Sequence, residues 1–355
     1  MRAVICHGAL DLRLVHLDPD AVDYPQSMSA KQLRVRVAFG GICGSDLHYY
    51  QHGGFGVVRI KQPMALGHEI SGVVEEVGSE TSGFKKGQRV AISPSRPCGN
   101  CRFCHLGQQN QCLSMRFYGS AMQFPHIQGA FRDSLIVEQH QIHALDDSVT
   151  LSEAALCEPL SVGLHAINRA GGVFGKTVLV TGCGPIGSLL IGGLRRAGAA
   201  RIVAADVAEM PLECARKMGA DETINLATNP QGLDKYMVDK GQFGAMFECS
   251  GNERALKAGL DVMAPQGVIV AVGLGGEMTL PMNQIVSREI DLRGTFRFHA
   301  EFANAVAYLN KGLIDVKPVI TSILPFDSAV EAFKLACDKS QSLKVLIAFD
   351  DTLVK

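Results

Sequence analysis

A glycine-rich turn between an apolar run and a helix-length segment constrains the fold of this chain more than any other feature. Residues 177–187 read TVLVTGCGPIG and carry the pattern G-x-G-x-x-G. Gly182 permits a tight turn, Gly184 lets the backbone approach a pyrophosphate at the helix N-terminus, and Gly187 allows close packing of helix on strand. The turn therefore predicts a dinucleotide-binding unit. Its predicted phosphate-binding residues are Gly182, Gly184, Pro185, Ile186 and Gly187.

An acidic residue at the end of the next apolar run completes this pattern. Asp206 lies 19 residues after Gly187, and its carboxylate can accept hydrogen bonds from both hydroxyls of an adenosine ribose. A carboxylate at this position repels a 2′-phosphate, and residues 207–211 contain no arginine or lysine to offset it. The sequence therefore favours NAD over NADP. A glycine-rich turn without any ligand is the alternative.

Apolar runs alternate with helix-length segments through the second half of the chain, which is typical of a doubly wound parallel sheet. Before about residue 150 the runs are shorter, alternate residue by residue and are separated by glycines, which predicts a small β-barrel or sandwich. The six candidate strands of the parallel sheet are residues 177–181, 201–205, 222–225, 243–248, 267–272 and 290–294. Two of the helix-length segments between them are residues 185–197 and 208–218.

The C-terminal part of the chain predicts two amphipathic helices and two strands. One helix covers residues 302–309, and Ser328 with Glu331 has the capping-box spacing that starts the other. Residues 316–324 and 343–349 are predicted to be strands that return to the first domain.

Composition limits the partners of this protein. Its 355 residues include 34 Lys and Arg and 35 Asp and Glu, and a formal net charge of -1 gives no electrostatic case for binding nucleic acid or an anionic membrane. The first residues lack the apolar run and cleavage site of a secretory signal. Eleven cysteines, four of them clustered, favour the reduced thiols of a cytoplasmic protein over disulfides. The expected partner is a small molecule.

Four cysteines in one short loop form the strongest metal-site pattern of the sequence. They are Cys98, Cys101, Cys104 and Cys112, at spacings of x2, x2 and x7. Four thiolates can close a tetrahedron on zinc with no open position, which is typical of a structural site. An iron–sulfur run would place the fourth cysteine three residues on and follow it with proline, whereas Leu113 follows here. Unliganded thiols are the remaining alternative.

A second group of metal-ligand types lies earlier in the chain. Cys43 is followed by Ser45 and His48, so that a thiol, a hydroxyl and an imidazole lie within six residues. His68 and Glu69 add an imidazole and a carboxylate one loop downstream. Taken alone, each cysteine or histidine is more often a packed core or surface residue. The group is therefore a candidate site that needs support from other features.

That support comes from a family resemblance. Residues 67–78 read GHEISGVVEEVG and resemble the zinc signature G-H-E-x2-G-x5-G of the medium-chain zinc-dependent alcohol and polyol dehydrogenases. The similarity extends along essentially the whole chain. It implies a GroES-like β-rich catalytic domain of residues 1–157 and 296–355, with a structural zinc lobe at 94–114. Residues 158–295 are then a Rossmann domain that binds NAD.

Within that family, residues 157–165, CEPLSVGLH, resemble the sorbitol dehydrogenase branch. Glu158 stands where alcohol dehydrogenases proper place a third cysteine ligand. The resemblance implies a catalytic zinc held by Cys43, by His68 and by a carboxylate. That carboxylate is either Glu69 or Glu158, with the other close by or bridged through water. Three protein ligands leave an open position for water or alcohol, as catalysis requires.

The same resemblance assigns roles to residues around the zinc. Ser45 resembles the hydroxyl that hydrogen-bonds the reacting alcohol, and His48 resembles the exit of a proton relay. The implied substrate contacts are Tyr49, Glu158 and Arg297. The implied residues lining the nicotinamide are Val272, Gly273, Leu274, Thr295, Phe296 and Arg297.

Three loops refine the expected substrate. Residues 94–99, 115–126 and 294–298 resemble those of family members that oxidise the sugar acid L-idonate. The resemblance implies oxidation of L-idonate to 5-keto-D-gluconate. The carboxylate of such a substrate needs a cation, and a planar guanidinium suits it better than an ammonium. Our hypothesis is that Arg297 or Arg116 supplies it.

Other activities remain open at this point. Neutral polyols such as sorbitol or xylitol, or the side-chain hydroxyl of threonine, use the same zinc chemistry. Zinc-free quinone or enoyl reductases share the fold but normally lack both metal sites. A non-catalytic dinucleotide-binding structural protein is the alternative from a different class. The resemblance also implies a homodimer or homotetramer with edge-to-edge pairing of the cofactor domains.

Overall fold

The computed structural model describes residues 1–17 and 27–350 of the chain. The strands of this part, in chain order, are β1 (Arg2–Gly8), β2 (Asp11–His16), β3 (Gln32–Gly41), β4 (Gly54–Phe55), β5 (Val58–Arg59), β6 (Met64–Ala65), β7 (Glu69–Val77), β8 (Arg89–Ile92), β9 (Ser95–Arg96), β10 (Arg116–Phe117), β11 (Ser134–Glu138), β12 (Ile142–Ala144), β13 (Thr177–Thr181), β14 (Arg201–Asp206), β15 (Glu222–Asn225), β16 (Phe243–Glu248), β17 (Met263–Ala271), β18 (Asp291–Gly294), β19 (Ile320–Pro325) and β20 (Lys344–Ala348). The α-helices are α1 (Gly44–His52), α2 (Arg102–His105), α3 (Leu151–Ala154), α4 (Cys157–Arg169), α5 (Pro185–Arg196), α6 (Glu209–Lys217), α7 (Glu253–Val262), α8 (Met282–Ser287), α9 (Glu301–Asn310) and α10 (Ala329–Cys337).

The chain divides into two compact units. Unit 1 takes in the described residues of Met1–Glu158, Phe302–Lys311 and Ile320–Lys355, and unit 2 takes in Pro159–Glu301 and Gly312–Val319. The chain changes unit first within α4 and again at the start of α9. The domain division expected from the sequence, with changes after residues 157 and 295, stays a prediction. No helix in the described ranges combines the length and apolarity needed to cross a membrane.

Unit 1 is built on a mixed sheet whose order is β12-β8-β7-β3-β20-β19, with β11 also paired to β3. The alternation predicted around residues 33–37 is confirmed, because Leu33, Val35 and Val37 are buried in the core of this unit. β3 pairs antiparallel with β7, and Gly41 at the end of β3 lies opposite Glu69 at the start of β7. This register brings the segment after β3 beside the segment before β7, which is where the candidate metal ligands lie.

The C-terminal elements confirm some predictions and correct others. The predicted strands return to unit 1 as β19 and β20, and β20 pairs with β3. The prediction of a strand from residue 316 is wrong, since Lys317–Val319 is a 3-10 turn and extended backbone begins at Ile320. The predicted capping box is also wrong. Ser328 has φ -100° and ψ 22°, not the extended backbone that an N-cap hydroxyl needs, and its side chain makes no capping hydrogen bond.

Unit 2 confirms the predicted doubly wound sheet. Six parallel strands follow the order β15-β14-β13-β16-β17-β18. Val178, Leu179 and Val180 are all buried, as expected for a parallel strand that is covered on both faces. The chain runs from β13 outward in both directions, so the carboxyl ends of β13, β14 and β16 flank the point where the strand order reverses. Dinucleotides bind at such a point in doubly wound sheets.

Candidate active site

Cys43, His68 and Glu69 form a compact group of ligand types in unit 1. Their donor atoms, one from each side chain, all lie within 4.8 Å of one another. Cys43 has extended backbone and is the N-cap of α1, so it lies in the short connection between the end of β3 and that helix. The pairing of Gly41 with Glu69 then sets the two segments side by side. A thiol, an imidazole and a carboxylate at this separation are a donor set typical of catalytic zinc.

The protonation chemistry of this group fits a bound cation. Burial, together with the nearby charge of Glu69, raises the pKa of the Cys43 thiol to about 12. Burial likewise raises the pKa of Glu158 to about 8, and this carboxyl interacts electrostatically with His68, Glu69 and Cys43. Nδ1 of His68 is buried and has no hydrogen-bond partner. A metal ion would favour the thiolate and carboxylate forms, so the residues present fit a metal site.

Asp46 organises the same group, although it was not among the site residues selected from the sequence. Its buried carboxylate accepts the backbone N–H of Cys43 through Oδ2 and that of Gly67 through Oδ1, each at 3.1 Å. Oδ1 also lies 3.7 Å from Nδ1 of His68. One carboxylate therefore fixes the backbone at Cys43 and at Gly67, the residue before His68, and faces the ring of His68. The available signal was its place three residues after an N-cap, where acidic residues favour a helix start.

Lys344 is a second residue that the sequence did not single out. Its Nζ lies 2.7 Å from both carboxylate oxygens of Glu69 and donates to the backbone oxygen of Ile42 at 2.9 Å. Both side chains are buried, at 2% and 0% exposure. Lys344 reaches the group because β20 pairs with β3, and the two partners are 275 positions apart in the chain. No local pattern could have found this contact.

The four-cysteine lobe is a separate group of unit 1. The sulfur atoms of Cys98, Cys101, Cys104 and Cys112 lie within 4.8 Å of one another. The sulfurs of Cys101 and Cys104 are 3.6 Å apart, and the backbone N–H of Cys98 points at the sulfur of Cys112 from 3.2 Å. The backbone N–H groups of Leu113 and Cys104 lower the pKa of Cys101 to about 6. Four converging sulfurs leave no open position, which fits structural zinc.

The glycine-rich turn of unit 2 has the geometry that its pattern predicts. Gly182 has φ +81°, and a Cβ on it would lie 2.6 Å from the backbone nitrogen of Ser250. A Cβ on Gly187 would collide with the carbonyl oxygen of Gly182, so the helix packs directly on the turn. Gly184 has no atom within 4 Å of a built Cβ and is the N-cap of α5, with Pro185 as the first helical residue. The open side of the turn can therefore receive a phosphate.

Asp206 is held rigidly at the end of β14. Its Oδ2 accepts the backbone N–H of Cys183 at 2.7 Å, which ties it to the glycine-rich turn. Its Oδ1 accepts the N–H groups of Val207 at 2.7 Å and Ala208 at 3.0 Å. Three backbone donors therefore stabilise the negative charge at the position expected for ribose recognition.

Comparison with known proteins agrees with both sites. Two family models match, the alcohol dehydrogenase GroES-like domain over residues 29–147 and the zinc-binding dehydrogenase model over residues 185–311. L-idonate 5-dehydrogenase (NAD(P)(+)) of Escherichia coli (strain K12) is 43% identical over 318 residues, which cover 89% of this chain and 91% of the relative. The chain belongs to the zinc-binding dehydrogenases. This membership confirms the predicted family and reaction class.

Further relatives of this dehydrogenase agree with the assignment. Sorbitol dehydrogenase of Homo sapiens is 36% identical over 361 residues, covering 98% of this chain and 96% of the relative. The crystal structure of L-idonate 5-dehydrogenase from Escherichia coli K-12 has a TM-score of 0.91 at 40% identity and covers 98% of both chains. The predicted GroES-like and Rossmann folds are confirmed. So are zinc and a nicotinamide dinucleotide, NAD(P), as the cofactors of the dehydrogenase.

The residues expected to handle the proton and the substrate lie on α1 of the dehydrogenase. Ser45 is in the first turn, and its backbone N–H points at the sulfur of Cys43. His48 is exposed, with its ring 6.0 Å from that of Phe55. Tyr49 is buried, and its hydroxyl accepts the backbone N–H of Ala121 at 3.0 Å. Tyr49 therefore has a clear structural role alongside its expected contact with substrate.

Arg116 lies on the ribbon of β9 and β10, directly opposite Arg96. The next residue, Phe117, packs its ring 5.5 Å from that of His68. Successive side chains of a strand point to opposite faces, so Arg116 is directed away from the face that meets His68. Arg96, on the same face as Arg116, lies 3.8 Å from Glu138.

The segments expected to line the nicotinamide follow β17 and β18 in unit 2. The N–H groups of Val272 and Gly273 both donate to the carbonyl oxygen of Glu248, while Leu274 is exposed. The N–H of Thr295 donates to Ala271, and its buried hydroxyl has no hydrogen-bond partner. Two further residues complete the second segment. They are Arg297, which has φ +54°, and Phe296, whose ring centroid lies 4.9 Å from the Arg297 guanidinium carbon.

Proposed function

We propose that this dehydrogenase oxidises a secondary hydroxyl of a sugar acid, converting L-idonate to 5-keto-D-gluconate with reduction of NAD. The observation that carries the proposal is the grouping of Cys43, His68 and Glu69 within 4.8 Å. Such a group suits the activation of an alcohol. The substrate is supported by the relative from Escherichia coli, which is named for L-idonate and is 43% identical.

In this proposal the metal is held by Cys43, His68 and one of two carboxylates, Glu69 or Glu158. Zinc bound there supplies Lewis acidity, which lowers the pKa of a substrate hydroxyl. The ammonium of Lys344 contacts both oxygens of Glu69, so it neutralises that carboxylate and limits its movement. The protein groups thereby hold their positions without a change of conformation at the moment of reaction.

Two residues of α1 carry the proton in this proposal. Ser45 accepts the hydroxyl proton of the substrate as it gives up its own, and His48 takes on the relayed proton and releases it to solvent from the exposed side of the helix. Burial lowers the pKa of His48, and the charges of His52 and Lys339 lower it further. The imidazole is therefore neutral at neutral pH and free to accept a proton. A bound nicotinamide would accept the hydride of the carbinol carbon.

We assign the substrate carboxylate to Arg297 rather than Arg116. Arg297 has φ +54°, a conformation that costs about 1–3 kcal/mol for a non-glycine residue and is concentrated at functional sites. Arg116 instead pairs across its ribbon with Arg96 and is directed away from His68. The strained backbone of Arg297 therefore favours this residue as the one that binds the substrate carboxylate.

Replacement of each arginine by methionine tests this assignment. We expect Arg297→Met to lower kcat/KM on L-idonate about 10- to 100-fold, since a hydrogen bond between charged groups contributes ~1.5–3 kcal/mol. The loss on neutral sorbitol should be much smaller, and Arg116→Met should change neither. The absorbance of the NADH formed by the zinc-loaded enzyme gives the rates. Equal losses on both substrates would contradict the assignment of Arg297 to the substrate carboxylate. Turnover of sorbitol alone would show that the substrate is a polyol and not a sugar acid.

The finer features of cofactor, assembly and location belong to the same proposal. The rigidly held carboxylate of Asp206 supports NAD over NADP. The unpaired edge of β18 supports a homodimer or homotetramer joined through the cofactor sheets. A sugar-acid dehydrogenase that draws on the NAD pool is proposed to work in the cytoplasm.

A further inference from the structure

Glu209 and Arg216 form an ion pair close to Asp206. The two residues lie on the same side of α6, two helical turns apart, and Oε1 of Glu209 is 2.8 Å from NH2 of Arg216. The other side of the guanidinium is also engaged, since its Nε donates to the hydroxyl of Thr223 at 2.8 Å. Arg216 is therefore folded back along the helix toward the carboxyl ends of β14 and β15.

The register of the sheet places this pair next to the ribose-binding carboxylate. Asp206 on β14 lies opposite Asn225 on β15, and neighbouring strands are about 4.8 Å apart. The amide nitrogen of Asn225 donates to Oε2 of Glu209 at 3.3 Å. Glu209 therefore lies near the strand next to that of Asp206 and brings a second negative charge to the carboxyl ends of β14 and β15. Glu209 neutralises the charge of Arg216 at this place.

Other cations of this sheet are held in different places. Arg195 pairs with Asp221 at 2.6 Å, and Asp221 also accepts the backbone N–H of Ile202 near the opposite end of β14. Arg201 pairs with Glu222, again at the amino ends of the strands. Arg216 differs from them in its partner, because Glu209 also accepts from Asn225 at the carboxyl end of β15, where the adenosine ribose is expected.

We propose that Glu209 is a specificity-determining residue that excludes NADP by keeping Arg216 paired. A guanidinium is the side chain best suited to bind a 2′-phosphate, because it offers two parallel N–H donors. Glu209 accepts from NH2 of the guanidinium while Thr223 accepts from its Nε, and the charge of Glu209 adds repulsion to that of Asp206. The absence of lysine and arginine from residues 207–211 is therefore only part of the basis for NAD preference. This inference rests on the proposed use of NAD and deepens it.

The pair is exposed, which makes the proposal testable without loss of the fold. The side chains of Arg216 and Glu209 are 48% and 53% exposed, and ion pairs of this kind contribute little to stability. Glu209→Gln keeps the shape of the side chain and its contact with Asn225 but releases the guanidinium. Arg216→Met removes the guanidinium while keeping much of the apolar stem. Asp221→Asn is the matched control, since it releases Arg195 at the other end of the sheet.

The experiment measures binding of NADH and NADPH by nucleotide fluorescence to the purified, zinc-loaded protein, with no substrate present. We expect the parent protein to favour NADH, and Glu209→Gln to gain about tenfold in NADPH affinity relative to NADH, as one charge-assisted hydrogen bond implies. Addition of Arg216→Met should remove the gain, and Asp221→Asn should leave the ratio unchanged. Asp206→Ser combined with Glu209→Gln should raise the NADPH preference further.

Three results would overturn the inference. They are equal binding of both cofactors by the parent protein, no gain in Glu209→Gln, or a gain that survives Arg216→Met. Higher salt should reduce the gain, because screening weakens a guanidinium–phosphate contact. These readouts do not depend on turnover. Failure of L-idonate as a substrate would therefore show separately, as NADH binding without NADH formation.

Discussion

At the scale of single residues, the least expected feature is the buried ion pair between Lys344 and Glu69. The ammonium lies 2.7 Å from both carboxylate oxygens, and neither side chain is accessible to more than 2%. A charge buried in this way is costly without its partner, because it has lost its contact with water and has no opposite charge to compensate. The pair therefore couples the last strand of unit 1 to the metal group.

Removal of one partner should be costly. We expect Lys344→Met to lower the free energy of unfolding of the metal-free protein by about 3–5 kcal/mol, because it leaves the Glu69 charge buried and unpaired. Urea unfolding of metal-free protein gives the value. The double variant Lys344→Met with Glu69→Gln is the control, since it removes both charges and should recover most of the loss. If the single variant is as stable as the parent, the ion pair is not a stabilising contact.

Site residues could be predicted where a sequence motif identifies them, and not where their partner is distant in the sequence. The four cysteines could be selected because metal ligands recur at short, fixed separations, whereas Cys43 and His68 were selected through the family resemblance of residues 67–78. Lys344 could not, since it meets Glu69 only through the β3–β20 pairing. Arg216 was missed for a related reason. It lies outside residues 207–211, and its side chain reaches Glu209 near the carboxyl end of β14 by folding back along α6.

At the scale of elements, patterns predicted most strands and helices, but some starts were misplaced, such as those of β17 and β19. The strands at 177–181, 222–225 and 243–248 were placed within the bounds observed, because buried parallel strands are continuous apolar runs between helices. The predicted cap at Ser328 failed because a 3-10 turn, Phe326–Ser328, leads directly into α10. Sequence spacing alone carries no information about that backbone conformation.

The start of α9 offers a prediction about pH. Burial alone would raise the pKa of Glu301, but hydrogen bonds from His165, from the backbone N–H of His299 and from Asn168 lower the pKa to about 2. The distances are 3.0 Å to His165, 3.0 Å to His299 and 2.9 Å to Asn168. The charged form of Glu301 is therefore stabilised by folding, and it ties α4 to the start of α9 within unit 2.

The sign of the pH effect follows from the direction of that shift. A carboxyl with a lowered pKa contributes stability that is fully present above its ordinary pKa, about 4.5, and is lost as the pH falls toward 2. We expect Glu301→Gln to reduce stability by up to about 3 kcal/mol at pH 6 and by little near pH 2. Thermal unfolding across this range gives the difference. Glu277→Gln, at an exposed carboxyl, is the control and should show no such trend.

At the scale of the whole molecule, the β18 edge of the unit 2 sheet is a candidate surface for pairing with a second copy. Among the described residues, β18 pairs only with β17, so its other side presents backbone N–H and C=O groups. Apolar side chains are exposed on β18 and on the preceding helix: Leu292 on β18 is 44% exposed, and Met282 and Val286 on α8 are 58% and 71% exposed. An unpaired edge flanked by apolar residues suits antiparallel pairing with the same strand of a second copy.

This edge yields a prediction about assembly. We expect the parent protein to be a dimer or tetramer, and Val286→Glu or Leu292→Lys to produce smaller species, because a two-fold interface meets each introduced charge twice. Light scattering coupled to size exclusion gives the mass of each variant. Phe174→Glu is the matched control, since Phe174 is 86% exposed but lies outside the β18 edge. An unchanged mass in both edge variants, or an equal change in the control, would place the interface elsewhere. A two-fold contact through β18 would join two six-stranded sheets into one, which removes the open edge from both copies.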